Sequence, residues 1–223
     1  MAAWDTLDQK AEVQSTTLDL YVAAICRMIA LHEKYDFGEW LGRVKVEKTG
    51  HLIEQQFGID LGRRPIRDAA GPVDHKYLLQ VIHQAEAERI FIEHSHEGGK
   101  RYSYSRLSGF EAALARSAAL FGPKTDDIDR LIKLFVGMKA DDTEIRATLF
   151  ACWNDLLANG LKPSDEEIFA DFYKWAPTKL RFSELDLRIA IADMRQDGLV
   201  PTGRSRETPS RSVKTGPYDD SAF

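Results

Sequence analysis

Cysteine is scarce in this chain of 223 residues, where only Cys26 and Cys152 occur, each within an apolar helical pattern. We expect both to be buried free thiols, which suit a reducing compartment. Long hydrophobic runs are missing too, so the sequence predicts neither a membrane span nor a secretory signal. We therefore expect a cytoplasmic protein that does not insert into a membrane.

An excess of positive charge is also absent. The 30 Lys and Arg residues face 35 Asp and Glu residues, which leaves a net charge of −5. A protein that coats nucleic acid non-specifically needs a large positive field, so that class is excluded, whereas a local basic face is not. The apolar fraction of 43% and the charged fraction of 29% are those of an ordinary globular protein with a real core.

Catalytic motifs are missing as well. The chain has no glycine-rich phosphate loop with Lys and Ser/Thr, no H-E-x-x-H, and no G-x-S-x-G elbow. It also lacks the glycine-rich strand–helix turn that S-adenosylmethionine binding needs. Glu47-Lys48 has no matching upstream carboxylate on a strand, as a nuclease signature requires. We expect no catalysis and no cofactor, and a metal- or nucleotide-dependent enzyme of unfamiliar design is only a third option.

The first half of the chain has the element order of a winged-helix domain, namely three helices, a hairpin and a further helix. Apolar spacing and turn residues predict helices at 18–32, 44–57 and 74–89, strands at 89–93 and 101–105, and a helix at 108–121. Gly58 is the expected end of the second helix, and Asp74 the expected N-cap of the third. Trp40 is expected in a short turn between Gly38 and Gly42.

The second half predicts a compact helical bundle. Helix starts are indicated by capping-box pairs, which are Asp141 with Glu144, Ser164 with Glu167, and Ser183 with Asp186. The apolar residues of the last helix are Leu185, Ile189, Ala192 and Met194. We expect a mainly α protein with a polar leader at 1–17, a winged-helix-like domain at 18–122, a helical bundle at 123–200 and a disordered tail at 201–223.

The most informative stretch is residues 57–74, which we call the linker segment. It holds three glycines, two prolines and three arginines between two helical patterns. The candidate DNA contacts are its three arginines with nearby basic and aromatic residues: Arg63, Arg64, Arg67, Lys76, Lys100, Arg101 and Tyr102. The alternative is a solvated surface in which the arginines form salt bridges to Asp60, Asp68 and Asp74.

Two further patterns in the hairpin have alternative interpretations. Tyr102 and Tyr104 would stack on bases or sugars in a nucleic-acid interface, but alternating aromatics more often pack one face of a hairpin. His94 and His96 share one face of a strand and resemble half of a zinc or nickel site, although an exposed hairpin with two ordinary histidines is favoured.

The linker segment carries a family resemblance. Gly58-Ile59-Asp60-Leu61 matches the pattern G-(I/L)-(D/E)-L, and the stretch from Arg67 to Asp74 follows the pattern R-x-A-A-G-P-(L/Y/F)-D at every position except Val73. The stretch from Lys45 to Asp74 resembles the accessory C-terminal region of type I restriction–modification proteins, particularly specificity-subunit-like ones. The downstream EIRATLFACWNDLLANGLKPSDEEI resembles the helical region that follows there, so the likeness covers residues 37–204.

The resemblance implies a non-catalytic module of a restriction–modification or related phage-defence assembly. Its partners would be duplex DNA, subunits of that assembly, or both, and a homodimer is a further option. The chain is too short for the two target-recognition domains of a full specificity subunit. A looser likeness to antitoxin-type winged-helix domains implies the competing function, which is a regulatory protein-interaction domain that does not bind DNA.

Overall fold

The computed structural model describes residues 2–204 and 207–210, and of residues 2–16 only the helical backbone. The helices are α1 (Ala2–Lys34), α2 (Arg43–Phe57), α3 (His75–Ala87), α4 (Phe110–Phe121), α5 (Thr125–Phe135), α6 (Ala140–Ala158), α7 (Asp165–Trp175) and α8 (Glu184–Gln196). The strands are β1 (Ile66–Asp68), β2 (Gly71–Val73), β3 (Phe91–His96) and β4 (Arg101–Arg106). The expected mainly α fold with a small hairpin is confirmed. No helix in the described part of the chain has both the length and the apolar character needed to cross a bilayer.

Two antiparallel hairpins interrupt the helices. The predicted hairpin is β3 with β4, in a register that pairs Phe91 with Arg106 and His96 with Arg101. The second hairpin, β1 with β2, pairs Ile66 with Val73 and lies inside the linker segment, where the sequence indicated a connection without strands. Strands of three residues are too short to show an alternating pattern, which is why sequence periodicity missed them.

Local capping signals predicted most helix ends correctly. Gly58 ends α2 in the left-handed region at φ 63°, and the carboxylate of Asp74 accepts the backbone N–H of Tyr77 at 3.2 Å. Both hydrogen bonds of a capping box are present at Ser164 and again at Ser183. The expected cap at Asp141 is wrong, because α6 begins at Ala140 and the Asp141 carboxylate pairs with Arg181 at 2.9 Å.

Helix α2 lies at the centre of the fold. Its residues 45–53 are all buried, and it packs against α1, α5, α6 and β2. The buried apolar residues form one cluster that draws on α1 through α8, with Ile25, Leu52, Ile132, Phe150 and Met194 among its members. The boundary expected at residues 122 and 123 therefore does not separate two cores in the described part of the chain.

Both ends of the described chain differ from expectation. Residues 2–17 of the expected leader belong to α1. Part of the expected disordered tail packs against the protein: Thr208 is 3% exposed, its N–H donates to Asp155 at 3.1 Å, and the N–H of Arg67 donates to the carbonyl of Pro209 at 2.9 Å. The tail is held because its backbone completes the open edge of β1. Residues 205, 206 and 211–223 lie outside the described residues, and so does Met1.

Helix α8 has apolar residues on two faces, and only one of these faces is buried in the core. The buried residues are Leu187, Ala190, Ile191 and Met194. Of the apolar residues that the sequence shows in this helix, Met194 is buried, whereas Leu185 is 66% exposed and Ile189 is 53% exposed. Both sets have helical spacing, and periodicity alone does not say which of two apolar stripes the rest of the chain covers.

We expect Leu187→Ala to lower the free energy of unfolding by about 2–5 kcal/mol, because it leaves a cavity in a closed core. Leu185→Ala is the matched control in the same helix, and we expect a change within about 0.5 kcal/mol at an exposed position. Urea unfolding followed by circular dichroism at low protein concentration measures both. Equal losses for the two variants would contradict the orientation of α8.

Candidate functional site

Arg63, the first candidate DNA contact, lies inside the protein. Its side chain has no exposed area, and its guanidinium donates to Glu47 at 2.5 Å and to Glu54 at 3.1 Å. The guanidinium also lies 5.6 Å from the centre of the Tyr21 ring. An arginine enclosed by two carboxylates of α2 cannot meet a phosphate without unfolding its surroundings, so its expected role in DNA binding is corrected.

Burial and charge act in opposite directions on the two carboxylates beside Arg63. Burial raises the pKa of Glu47, but the charge of Arg63 and a hydrogen bond from His75 outweigh it and lower that pKa to about 2. Burial dominates at Glu54, where Arg63 offsets it only in part, and the pKa rises to about 7. One guanidinium therefore keeps one of its two carboxylates fully ionised at neutral pH.

Glu47 also holds the start of α3. Its two carboxylate oxygens accept the backbone N–H of Asp74 at 3.3 and 3.2 Å, and Nδ1 of His75 lies 3.4 Å from one of them. The hydrogen bond to Glu47 raises the pKa of His75. The same carboxylate thus joins α2, the linker segment and the first turn of α3.

Arg67 is also committed to internal partners. Its guanidinium donates to Asp155 at 2.8 Å and to Asp171 at 3.1 Å, and it lies 4.5 Å from the centre of the Trp175 ring. Its Nε donates to the carbonyl of Thr208 at 3.2 Å. Arg67 ties β1 to α6, α7 and the C-terminal residues, so its expected contact with DNA is replaced by a structural one.

Of the three arginines in the linker segment, Arg64 is the one that lies on the surface. Its side chain is 57% exposed and pairs with Asp60 at 3.2 Å, as the salt-bridge alternative predicted for that carboxylate. The backbone N–H of Arg64 donates to Asp74 at 2.7 Å. The guanidinium also donates to the carbonyl of Arg63 at 2.6 Å, and an exposed ion pair such as that with Asp60 contributes little to stability.

The other candidates lie on α3 and on the β3–β4 hairpin. Lys76, Lys100 and Arg101 are exposed, whereas Tyr102 is half-buried beneath Arg43, whose guanidinium carbon lies 3.7 Å from the ring centre. The ring of Tyr102 is therefore covered on one face by this chain. The structure brings Lys100 and Arg101 together at the hairpin tip, but it does not join them to Arg63 or Arg67.

The remaining hairpin side chains have partners within the sheet. Tyr104 is 8% exposed and donates to Glu93 at 2.8 Å, which favours packing over base stacking. His94 lies 3.0 Å from the Ser105 hydroxyl and His96 lies 2.8 Å from the Ser103 hydroxyl. Across the described residues, no three His, Cys, Asp or Glu side chains are grouped as a metal site.

A second buried ionic cluster lies between α2, α6 and the Pro177–Arg181 turn, and sequence reasoning missed it. Lys48 donates to the carbonyl of Pro72 at 3.0 Å, and Lys179 donates to Glu144 at 2.7 Å and to Thr148 at 3.1 Å. Burial lowers the pKa of Lys48 to about 7. The available signal was that the charged residues of α2 lie on two opposite sides of the helix, with Glu47 and Glu54 on one side and Lys45 and Lys48 on the other, which a helix with one solvated side does not need.

Gly71 shows why the linker segment fits so closely against this cluster. Its φ of +95° is a conformation that side chains disfavour, and an added Cβ would lie 2.6 Å from the hydroxyl of Thr148. Trp175 donates its indole N–H to the carbonyl of Asp68 at 2.9 Å, and Thr178 donates to the carbonyl of Ala69 at 3.0 Å. The β1–β2 hairpin is thus clamped on both sides by side chains of the helical half.

The linker segment also borders a cavity of about 510 Å³. Its lining comes from the end of α2, the loop after it and the C-terminal residues, and includes Glu54, Phe57, Arg64, Pro65 and Arg204. The mixed charge of this lining does not select one class of ligand.

Comparison with protein-family models, with curated proteins and with solved structures found no match to this chain.

We expect Arg63→Ala to destabilise the protein by about 3–5 kcal/mol, because it leaves the ionised Glu47 buried without its counter-charge and removes the hydrogen bond to Glu54. Arg64→Ala removes the neighbouring, exposed guanidinium, and we expect a change within about 0.5 kcal/mol. Chemical denaturation of both variants at pH 7 provides the comparison. A loss below about 1 kcal/mol for Arg63→Ala would rule out the buried network as a main stabilising element.

The raised pKa of Glu54 predicts that the free energy of unfolding depends on pH. Its pKa is raised from 4.5 to about 7 in the folded protein, so the folded state holds this proton more tightly than the unfolded state does. Glu54 therefore contributes fully to the free energy of unfolding below pH 4.5. This contribution is lost as the pH rises to about 7, and the loss amounts to as much as about 3 kcal/mol.

Glu54→Gln removes this titration, and we expect the free energy of unfolding of the variant to fall less between pH 4.5 and 7 than that of the wild type. Glu207→Gln is the control, since Glu207 is exposed. Identical pH profiles for wild type and Glu54→Gln would contradict the assignment.

Proposed function

We propose that this chain is a non-catalytic subunit-docking module of a restriction–modification or related phage-defence assembly in the cytoplasm. The resemblance of the linker segment suggests the type of assembly. We favour docking over DNA binding because Arg63 and Arg67 form ion pairs with carboxylates inside the protein. The residues that suggested a phosphate-binding face instead hold the fold together.

The connection between α1 and α2 offers a surface suited to docking. Tyr35 is 44% exposed and Trp40 is 48% exposed, and we call this pair the aromatic turn. Trp40 packs edge-on against Phe37, with ring centres 5.5 Å apart, so its ring is held in place while half of it faces solvent. Exposed, pre-positioned Trp and Tyr side chains are typical of interface hot spots, since they bury a large area at a small cost in conformational entropy.

Lys45 gives this surface a further property. Its ammonium is buried, has no hydrogen-bond partner among the described residues, and lies 5.6 Å from the centre of the Trp40 ring. Burial lowers the pKa of Lys45 to about 8. Lys45 is 2% exposed, so its ammonium is closed to a partner's acceptor and only places a positive charge near the Trp40 ring. The aromatic turn therefore favours a partner with an apolar or aromatic group.

DNA binding is the second candidate, and the hairpin tip favours it. Lys100 and Arg101 are exposed beside the tight turn at Gly98-Gly99, which is where the wing of a winged helix meets the DNA backbone. Two basic residues support weak, salt-sensitive contacts rather than sequence recognition.

The docking proposal predicts that recovery of partner subunits with the tagged protein depends on Trp40. Tagged wild-type protein, purified from the host that encodes it, should retain subunits of a restriction–modification or defence complex identified by mass spectrometry. Trp40→Ala should reduce that recovery at least about tenfold, as expected for an aromatic hot spot. Leu161→Ala is the control, because Leu161 is 52% exposed on the far connection between α6 and α7. Recovery that is absent, or equal in all three proteins, counts against docking at the aromatic turn.

The DNA candidate is tested separately by fluorescence anisotropy with duplex DNA at low salt. Under the docking proposal we expect the wild-type protein to leave the anisotropy of the labelled duplex DNA unchanged. Salt-sensitive binding that is lost in the double variant Lys100→Ala, Arg101→Ala would favour the DNA candidate. The control is Lys162→Ala with Lys174→Ala, which removes the same charge from exposed positions in the helical half.

A further inference from the structure

Helix α8 carries an apolar stripe that the described part of the chain does not cover. Leu185, Ile189, Ala192 and Gln196 are exposed, while the opposite side of the helix is buried in the core. Leu180 lies in the Pro177–Arg181 turn that precedes α8 and is 71% exposed, so a further uncovered apolar side chain comes just before the helix in the chain. A helix that is apolar on two faces is suited to packing on two sides.

The exposed stripe has the spacing of a coiled-coil seam. Its members are separated by four, three and four residues, so Leu185 and Ala192 occupy d positions while Ile189 and Gln196 occupy a positions. The flanking e positions hold Asp186 and Asp193, and the flanking g positions hold Arg188 and Arg195. One side of the seam is acidic and the other is basic.

We propose that α8 pairs with α8 of a second copy of this chain, side by side in the same direction. In a parallel pair the g residue of one helix lies beside an e residue of the other, which places Arg188 next to the partner's Asp193. An antiparallel pair would set arginine against arginine and aspartate against aspartate. The charge pattern is therefore complementary to itself in one orientation only.

The charged residues beside the seam are available for this contact. Arg188 already pairs with Glu184 at 2.6 Å and with Glu166 at 3.2 Å, and Asp193 pairs with Arg146 at 2.6 Å, yet the side chains of Arg188 and Asp193 are 47% and 44% exposed. A guanidinium has five N–H donors and a carboxylate accepts several hydrogen bonds, so the intramolecular pairs do not exhaust either group.

A recess next to the seam would receive a side chain of the second copy. It has a volume of about 300 Å³ and is lined by Met138, Ile145, Ile189 and Ala190, with Asp142, Asp186 and Asp193 among its polar residues. A two-fold axis presents this recess on both copies. Because the seam spans only two heptads, we expect a weak, reversible dimer rather than an obligate one.

Sedimentation equilibrium tests the association. The mean mass of the wild-type protein should rise towards twice the monomer mass as its concentration increases from about 1 to about 500 µM. Ile189→Glu places a charge in the seam and should remain monomeric. Leu161→Glu is matched in exposure, at 52% against 53%, and should associate like the wild type. Wild-type protein that stays monomeric, or association that survives Ile189→Glu, would overturn the proposal.

Cysteine crosslinking tests the orientation. Residues at an a position meet their own copies across a parallel seam, so Gln196→Cys should form a disulfide-linked dimer under mild oxidation. Both native cysteines are buried, which keeps the background low. Leu161→Cys should give no more crosslinking than the wild type. Absence of the Gln196→Cys crosslink in protein that does associate would overturn the parallel pairing.

Exchanging the charges at positions 188 and 193 tests the charge pattern. Arg188→Asp should weaken association at least about tenfold, and adding Asp193→Arg should restore it, since the exchanged charges again oppose each other across the seam. A double variant no better than Arg188→Asp would contradict the pairing of these two positions. This dimer is independent of the docking proposal, because the aromatic turn and α8 are separate surfaces with separate variants.

Discussion

The contact of Arg63 with Glu47 and Glu54 is the constraint on which the arrangement of this protein depends. A buried guanidinium is costly to desolvate, and the two carboxylates of α2 repay that cost only when all three groups meet closely. This requirement sets where the loop after α2 crosses the helix. Through the second contact of Glu47, with the backbone of Asp74, it also sets where α3 begins.

The linker segment therefore serves as a structural connection that holds α2, α6 and α7 together. One arginine anchors it to α2, Arg67 anchors it to α6 and α7, and Trp175 and Thr178 hold the β1–β2 hairpin by its carbonyls. Charged residues usually lie on the surface, but here they lie where the linker segment meets α2, α3, α6 and α7. Ion pairs and hydrogen bonds are directional, so a buried network of this kind favours a single arrangement of those elements more strongly than apolar packing does. With Arg63 and Arg67 used internally, the surfaces of the described chain that we propose for partners are the aromatic turn, the hairpin tip and the outer stripe of α8.

Element order and helix ends were predictable because they depend on neighbouring residues. The spacing of apolar side chains located the helices after residue 18, and short-range hydrogen bonds set the ends at Gly58, Asp74, Ser164 and Ser183. Asp141 shows the limit of such signals, since a partner 40 residues away, Arg181, takes its carboxylate. The same limit applies to the tail, whose order at Thr208 comes from contacts with Arg67 and Asp155.

Local chemistry in the amino-acid sequence was thus enough to establish a mainly α chain with a hairpin, two buried thiols and the importance of residues 57–74. Long-range contacts decided the rest. Whether Arg63 meets a phosphate or Glu47, and which stripe of α8 is covered, depends on which elements come together in space. Periodicity and composition carry no information about that, because the free energy of burying a charge or an apolar stripe is set by the partner opposite it.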